Sequence, residues 1–106
     1  MPRDDLYLEE LLGASRAIGD FLAGVDQDTF LASDLLQSAV LHKLTIIGEA
    51  ANRLTPAFRA AHPEVPWRNI VAFRNIIVHA YFNIDWDIAW AAATERVPEL
   101  IDQLDR

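Results

Sequence analysis

The chain has 106 residues, slightly over half of them apolar, with no cysteine and a formal net charge of −7. This length predicts one domain, residues 1–106, with a single hydrophobic core, and the lack of cysteine excludes disulfides and thiolate metal sites. No apolar run reaches the roughly 18 residues that a membrane span needs, and no secretory signal opens the chain, so we expect a soluble, cytoplasmic protein.

Positive charge is concentrated in one part of the chain. Between Arg53 and Ile84 there are four arginines and one acid, a formal charge of +3, which leaves −10 for the remainder. Phosphate binding depends on basic side chains that displace counterions, so the overall acidity argues against DNA binding and against a protein that coats nucleic acid broadly. An acidic chain with a small basic centre fits either a local phosphate site or a basic patch that faces an acidic partner.

Apolar residues at helical spacing predict two helices in the first half of the chain. Asp4 or Asp5 is expected to cap a first helix that reaches about Ala23, and Gly24 is expected to end it. After a polar turn at residues 26–28, a long second helix is predicted from about Thr29 to Leu54.

The predicted second helix has two apolar faces. One stripe contains Leu36, Val40, Leu44, Ile47, Ala51 and Leu54, and the other, displaced by about 80°, contains Leu35, Ala39, Ile46 and Ala50. Between them runs a polar line of Ser38, His42, Glu49 and Arg53, in which Glu49 and Arg53 are spaced as an i, i+4 ion pair. A helix with two apolar faces lies between two layers, and we expect that a second copy of the chain supplies one of them.

Prolines mark the next two helices. Thr55-Pro56 is a cap followed by a first-turn proline, which predicts a short third helix through about Ala61. Pro66 is expected to open a fourth helix in the same way, running from Trp67 to about residue 79 or 81.

A fifth helix completes the prediction. Asp87 lies in its first turn, where the helix dipole favours an acid, and the helix is expected to run to about Leu104. Pro98 predicts a kink near Arg96-Val97 or two abutting helices, because an interior proline removes one backbone hydrogen bond. No segment alternates with the period of a strand, so the predicted fold is all-α: an up-and-down bundle of four long helices plus one short helix.

The segment from Arg74 to Tyr81 places four polar side chains of different chemistry within eight residues. On a helix with Arg74 at zero, Asn75 falls near 100° and His79 near 140°, while Tyr81 falls near 340° if the helix extends that far. Four apolar residues fall between about 200° and 320° on the same wheel: Ile76, Phe73, Ile77 and Ile70. We therefore expect one face of this helix to be core and the other to carry chemistry.

The motif resembles the signature of a known family. Arg74, four intervening residues, His79 and then Tyr81 are similar to the R-x4-H-x-Y signature of the HepT-type toxins within the HEPN family. The similarity extends to Ile47-Gly48-Glu49-Ala50-Ala51, Trp67, Ile70 and Asp85, and it covers roughly Leu31 to the C-terminus. The resemblance implies a helical bundle that dimerises with the two Arg/His motifs facing each other across a cleft, and metal-independent endoribonuclease activity.

The same resemblance implies a toxin of a type II/VII-like toxin–antitoxin pair, whose antitoxin is a minimal nucleotidyltransferase of the MntA type. By position, Arg74 and His79 would be the nuclease pair, Asn75 the supporting polar residue and Tyr81 the tyrosine to which the antitoxin transfers AMP. AMP on Tyr81 would add a bulky anion beside Arg74 and repel the substrate phosphate. Transfer RNA and messenger RNA both remain open as substrates.

The chemistry of these residue types agrees with that implication. Cleaving RNA without a metal requires a base for the 2′-hydroxyl, an acid for the departing 5′-oxygen and fixed positive charge at the phosphate. Histidine suits proton transfer near neutral pH, which fits His79, and arginine offers a charged planar fork to two phosphate oxygens, which fits Arg74. One chain supplies one motif histidine and two facing chains supply two, so we expect an active homodimer, an inactive monomer and no cofactor.

Two other functions remain open. Inactive HEPN relatives act as binding or dimerisation modules, so the chain could be a non-catalytic, nucleotide-binding or scaffolding partner of a nucleotidyltransferase. The basic patch could also face an acidic protein alone.

Several side chains have plainer interpretations. His42 and His62 do not stand at metal-ligand spacing, and a metal site is not expected. Tryptophans can stack on bases, but Trp86 and Trp90 are spaced i, i+4 and are expected to pack the core or an interface. Glu49 is expected to be structural through its pair with Arg53, with the orientation of Arg74 as a lesser alternative.

Overall fold

The computed structural model describes residues 2–105, so Met1 and Arg106, the two ends of the predicted domain, lie outside the described residues. The helices are α1 (Asp4–Phe21), α2 (Gln27–Leu31), α3 (Asp34–Arg53), α4 (Pro56–Ala61), α5 (Trp67–His79), a 3-10 turn (Tyr81–Asn83), α6 (Trp86–Ala91), a π-helical segment (Ala92–Arg96) and α7 (Val97–Leu104). The described residues contain no strand, and the predicted all-α fold is confirmed.

The number of short helices was predicted wrongly. The four long elements are α1, α3, α5 and the continuous rod of α6, the π segment and α7. Two short helices, α2 and α4, accompany them, whereas only one had been expected. The additional short helix is α2, which was expected to be part of the long second helix.

The predicted second helix is interrupted after Leu31. The Ser33 side chain accepts a hydrogen bond from Leu36 N–H at 3.1 Å and so caps the start of α3. The Gln37 side chain donates to the Leu31 carbonyl at 3.0 Å, which satisfies an acceptor at the end of α2. Local side-chain bonds therefore stabilise a break that the apolar spacing conceals.

The start of α1 also differs from its prediction. The N-cap is Arg3, and its side chain makes no capping bond. Asp4 instead accepts hydrogen bonds from Thr55 N–H at 2.9 Å and from Thr55 Oγ1 at 2.7 Å. The same Thr55 oxygen accepts from Phe58 N–H at 3.1 Å, which confirms Thr55 as the cap of α4. Asp4 thus ties α1 to α4 rather than capping its own helix.

Pro98 lies in the first turn of α7, directly after the π segment. Its missing N–H removes one donor from the helix, and the wider π turn absorbs that interruption while Arg96 and Val97 keep right-handed helical backbone angles. In place of the expected kink or pair of abutting helices, the structure has a π-helical segment within one continuous rod.

The core forms between the long helices: α3 packs against both α1 and α5, and α1 also packs against α7. Its fully buried side chains include Leu11, Ile18, Phe30, Val40 and Leu54. Phe30 contacts the rings of Trp86 and Trp90, at centroid distances of 6.2 and 5.3 Å, which confirms that these tryptophans pack the core. Within the described chain, no helix is both long and apolar enough to cross a membrane.

The second apolar stripe of α3 is only partly covered. Ala50 is buried, Ala39 and Ile46 are half-buried, and Leu35 is 79% exposed. The first stripe lies in the core as expected, since Val40, Leu44 and Ile47 are buried. One face of α3 therefore packs within the chain, and the other is covered toward its C-terminal end alone.

Candidate functional site

The candidate site begins with a close approach of α3 and α5 at Gly48. A Cβ at Gly48 would overlap the Arg74 Cβ, lie 2.8 Å from the Arg74 Cγ and lie 3.3 Å from the Ile70 carbonyl oxygen. Only glycine fits there without displacing α5, since backbone and the stem of a side chain cannot move aside cheaply. The Arg74 side chain consequently starts directly over α3.

The residue after Gly48 holds the guanidinium. Arg74 Nη2 donates to Glu49 Oε2 at 2.7 Å, and Arg74 Nη1 donates to Asn75 Oδ1 at 2.8 Å. The Arg74 side chain is 26% exposed, and its Nε is buried without a hydrogen-bond partner in the described part of the chain. Two of the five N–H groups of Arg74 donate to Glu49 and Asn75, which fixes the orientation of the guanidinium. Its other N–H groups keep the capacity to donate to a ligand.

Glu49 also binds a second arginine. Its Oε1 accepts from Arg53 Nε at 3.1 Å, which confirms the expected i, i+4 pair. Side-chain hydrogen bonding with Tyr7, and to a lesser extent with Glu49, raises the pKa of Arg53 above its ordinary value. The Arg53 guanidinium carbon lies 6.0 Å from the centre of the Tyr7 ring. Glu49 therefore bridges two guanidinium groups, one of which belongs to the motif.

His79 is the last residue of α5 and is exposed. Across residues 2–105, no hydrogen bond or ion pair involves its imidazole. It stands five positions after Arg74, which corresponds to about 140° around the helix and about 7.5 Å along its axis. A single chain therefore directs these two side chains apart rather than toward a common point.

Tyr81 lies outside α5. Ala80, with φ −140° and ψ 44°, ends the helix, and Tyr81 starts the following 3-10 turn. The wheel position predicted for Tyr81 therefore does not apply. Its ring is half exposed and meets the Phe82 ring edge-on at 5.9 Å between centroids.

The exposed arc of α5 is less polar than predicted. Ile76, which was expected in the core, is 49% exposed, while Ile77 is buried as expected. Val78 is about equally exposed, and Phe82 just beyond the helix is 99% exposed. Exposed apolar side chains thus precede and follow His79 in the sequence.

Two grooves flank α5. One, of about 580 Å³, is lined by Asn52, Pro56, Arg59, Trp67, Arg68, Val71, Ala72 and Asn75. The other, of about 390 Å³, lies between α3, α5 and the rod formed by α6 and α7, and its wall includes Leu44, Ile47 and Phe73. Both linings are mainly apolar. The first groove carries Arg59 and Arg68 and reaches the motif at Asn75, whereas the second carries one arginine and one glutamate.

The remaining histidines lie away from these contacts. His42 is exposed on α3, and His62 Nδ1 lies 3.7 Å from Glu64 Oε1 after α4. Within residues 2–105, no three His, Asp or Glu side chains are grouped as a metal site.

Comparison with known proteins identifies the family. Residues 11–106 match the family described as Ribonuclease HepT-like. The chain belongs to the HepT-like ribonuclease family. This HepT-like chain is 34% identical over 100 residues to a Thermococcus cleftensis protein named "Probable ribonuclease HepT", covering 94% of this chain and 91% of the other.

Two further relatives of this HepT-like protein carry the word RNase in their names. One, from Methanocaldococcus jannaschii, is 32% identical over 99 residues, which are 93% of this chain and 91% of the relative. The other, from Caldanaerobacter subterraneus subsp. tengcongensis, is 33% identical over 98 residues, which are 92% of this chain and 88% of the relative. No solved structure matches the chain significantly.

The sequence-based expectations underestimated two residues of the candidate site. Glu49 was expected to be structural, yet it contacts Arg74 directly as well as Arg53. Gly48 was noted only as part of the resemblance, although a glycine inside a helix costs about 1 kcal/mol relative to alanine and so indicates a close contact. The adjacent pair Gly48-Glu49, which stands between Ile47 and Ala50 of the two apolar stripes, was the signal that pointed to both.

Proposed function

We propose that the protein is a metal-independent endoribonuclease toxin that works as a homodimer, with Arg74 and His79 as its catalytic residues and Asn75 in support. The proposal is carried by one observation: Arg74, anchored by Glu49 over Gly48, shares a helix with an exposed histidine whose imidazole is free for substrate. Membership of the HepT-like ribonuclease family and the names of the relatives support an RNA substrate.

The reaction follows from these groups. One imidazole removes the proton of the 2′-hydroxyl, and the 2′-oxygen forms a bond to the adjacent phosphorus. The bond from phosphorus to the 5′-oxygen breaks, and a protonated imidazole gives its proton to that oxygen. The Arg74 guanidinium neutralises the charge that builds on the phosphate oxygens. The products are a 2′,3′-cyclic phosphate and a free 5′-hydroxyl.

Two chains would complete the site. Arg74 and His79 diverge on one helix, and each chain has a single motif histidine, whereas the mechanism uses an acid and a base. The exposed apolar side chains next to His79, namely Ile76, Val78 and Phe82, would be covered by a second copy. A two-fold axis near His79 would then bring both imidazoles to one phosphodiester.

Regulation would act at Tyr81. We propose that a nucleotidyltransferase of the MntA type transfers AMP from ATP to its phenol, which is half exposed in a turn two residues after His79. The phenol loses its proton, its oxygen bonds to the α-phosphorus, and pyrophosphate leaves. The added phosphate would compete with RNA for Arg74. Mass spectrometry of the chain co-expressed with such a partner should find AMP on Tyr81, and an unmodified Tyr81 in a complex that is nevertheless inactive would contradict this part.

Cleavage by the purified chain tests the enzyme itself. The wild type should cut RNA in the presence of a chelator and leave 2′,3′-cyclic ends, and expression should arrest growth. His79→Ala and Arg74→Ala should each lower the rate by about 10²–10⁴-fold, because each removes a group that acts on the transition state. Intact RNA with every chain, combined with retained nucleotide binding, would favour the non-catalytic scaffold instead.

A further inference from the structure

Most basic side chains in residues 2–105 of this acidic protein form an ion pair with a carboxylate. In residues 2–105, ion pairs with carboxylates engage Arg3, Arg16, Arg53, Arg74 and Arg96. The basic side chains without such a pair in the same residues are Lys43, Arg59 and Arg68. Two of these three, Arg59 and Arg68, line the same groove beside the motif.

Among the lining residues of that groove, all from the described part of the chain, there is no acid. Besides the two arginines, its polar lining consists of Asn52 and Asn75, whose amides can donate hydrogen bonds. Asn75 uses its Oδ1 to accept from Arg74, so its amide nitrogen keeps both hydrogens for a ligand. In a chain with a net charge of −7, a groove lined by unpaired cations and amide donors favours an anion.

The shape of the groove follows one face of α5. Arg68, Ala72, Asn75 and His79 fall within about 60° of one another around the helix, and Arg68 precedes Asn75 by two turns, or about 10.5 Å. Ala72 has a small side chain and leaves the floor between them open. The face thus presents, in order, a cation, an amide and the motif imidazole.

The other wall of the groove is fixed by Trp67. Its indole Nε1 donates to the Arg59 carbonyl at 3.1 Å and to the His62 carbonyl at 3.0 Å, and its ring packs edge-on against Phe58. These bonds hold the end of α4 against the start of α5, which keeps Arg59 and Arg68 on the same groove. The packing of α4 against α5 therefore determines that both guanidinium groups lie along the same groove.

We propose that this groove, between Arg59 and Arg68 and ending at Asn75, binds the phosphates of a single RNA strand next to the bond that is cut. The inference rests on the proposed nuclease function and names how its substrate is held. A strand that runs along α5 from Arg68 to His79 would place a flanking phosphate at the arginines and the scissile phosphate at the motif. Binding there depends on charge and tolerates different base sequences.

The test measures RNA binding rather than cleavage. Fluorescence anisotropy of a labelled single-stranded oligonucleotide is followed between about 50 and 200 mM salt, with all variants made in the His79→Ala chain so that the strand stays intact. For single strands each lost phosphate contact reduces the slope of log K against log salt by about 0.7. Arg68→Gln should show this reduction, and Arg59→Gln combined with Arg68→Gln about twice as much.

Lys43→Gln is the matched control, since it removes one unpaired cation outside the groove. Its slope should equal that of the His79→Ala parent. Equal losses in Lys43→Gln and Arg68→Gln, or no loss in either, would overturn the groove proposal. If the wild type cuts RNA but the Arg68→Gln slope is unchanged, the groove alone fails; if the slope falls but nothing is cut, the groove stands and the enzyme proposal fails.

Discussion

Two adjacent residues of α3 determine the direction of the motif arginine. Gly48 gives the Arg74 stem room against α3, and Glu49 then accepts a hydrogen bond from its guanidinium at 2.7 Å. A charge-assisted bond of this kind is about twice as strong as a neutral one, and it directs the planar fork as well as holding it. The position of Arg74 is thus a property of α3 as much as of its own helix.

Gly48→Ala should disrupt this contact. The added methyl group overlaps the Arg74 stem, so we expect the unfolding free energy to fall by about 1–3 kcal/mol and RNA cleavage to fall with it. Denaturant unfolding and a cleavage assay measure the two effects. Gly13→Ala on α1 meets nothing within 4 Å and should instead stabilise the protein by up to about 1 kcal/mol. Equal stability of the two variants would contradict the close approach.

Glu49→Gln keeps the shape of the side chain and removes its charge. In the proposed mechanism Glu49 positions Arg74 without touching the substrate, so kcat should fall by about tenfold while RNA binding does not weaken. Steady-state kinetics separate kcat from KM. Arg53→Gln removes the other partner of Glu49 and should leave kcat nearly unchanged. A variant pair with equal losses would show that Glu49 does not act through Arg74.

At the scale of elements, caps and interruptions decide what the apolar spacing leaves open. Leu31 and Leu35 continue a helical pattern across residues 32 and 33, yet α2 ends at Leu31 and Ser33 caps the start of a separate helix. At the C-terminal end of α5, Ala80 stops the helix before Tyr81 and moves the tyrosine into a separate turn. The first break is stabilised by side-chain bonds to the backbone and the second by the backbone bond from Ala80 N–H to the Ile76 carbonyl; a wheel projection contains neither.

Ser33→Ala tests the break between α2 and α3. It removes the acceptor for Leu36 N–H, and we expect the unfolding free energy to fall by about 1 kcal/mol. Thermal or urea unfolding followed by circular dichroism measures it. Ser38→Ala, at an exposed position inside α3, should leave stability unchanged or slightly raised, because alanine has the higher helix propensity. If both serines respond alike, Ser33 is not the cap.

At the scale of the whole molecule, one chain holds half of the proposed chemistry. The Arg74 side chain is about one quarter exposed and is held by Glu49, whereas His79 is exposed on a different side of α5. Apolar side chains near His79 in the sequence are also exposed to solvent. An acidic exterior around a basic groove would direct an RNA strand to that one region. His79 lies on the same face of α5 as the groove, whereas Arg74 lies about 140° around the helix from it. A second copy placed at His79 would complete the proposed site.

Mixed dimers test the shared site. When wild-type and His79→Ala chains are combined in equal amounts and allowed to exchange, about one quarter of the dimers carry two motif histidines. Cleavage should therefore fall to about one quarter of the wild-type value at the same total concentration. Mixing with Ser38→Ala should leave it unchanged. Activity near one half would mean that each chain works alone.

The sequence by itself determined the fold class, most helix positions and the composition of the motif. Apolar spacing and proline positions predict α4 and α5 closely, because each depends on signals within a few neighbouring residues. The motif residues Arg74, Asn75 and His79 could be selected for the same reason, since their types and spacing stand in one short segment.

Only the tertiary structure decided how those residues are held. The bond from Arg74 to Glu49 joins positions 25 residues apart, the fit at Gly48 depends on the separation of two helices, and the groove collects residues from α3, α4 and α5. Such contacts arise from packing between helices, which the periodicity of one helix does not encode. The sequence therefore specified the chemical groups, and the packing of α3 against α5 specified their geometry.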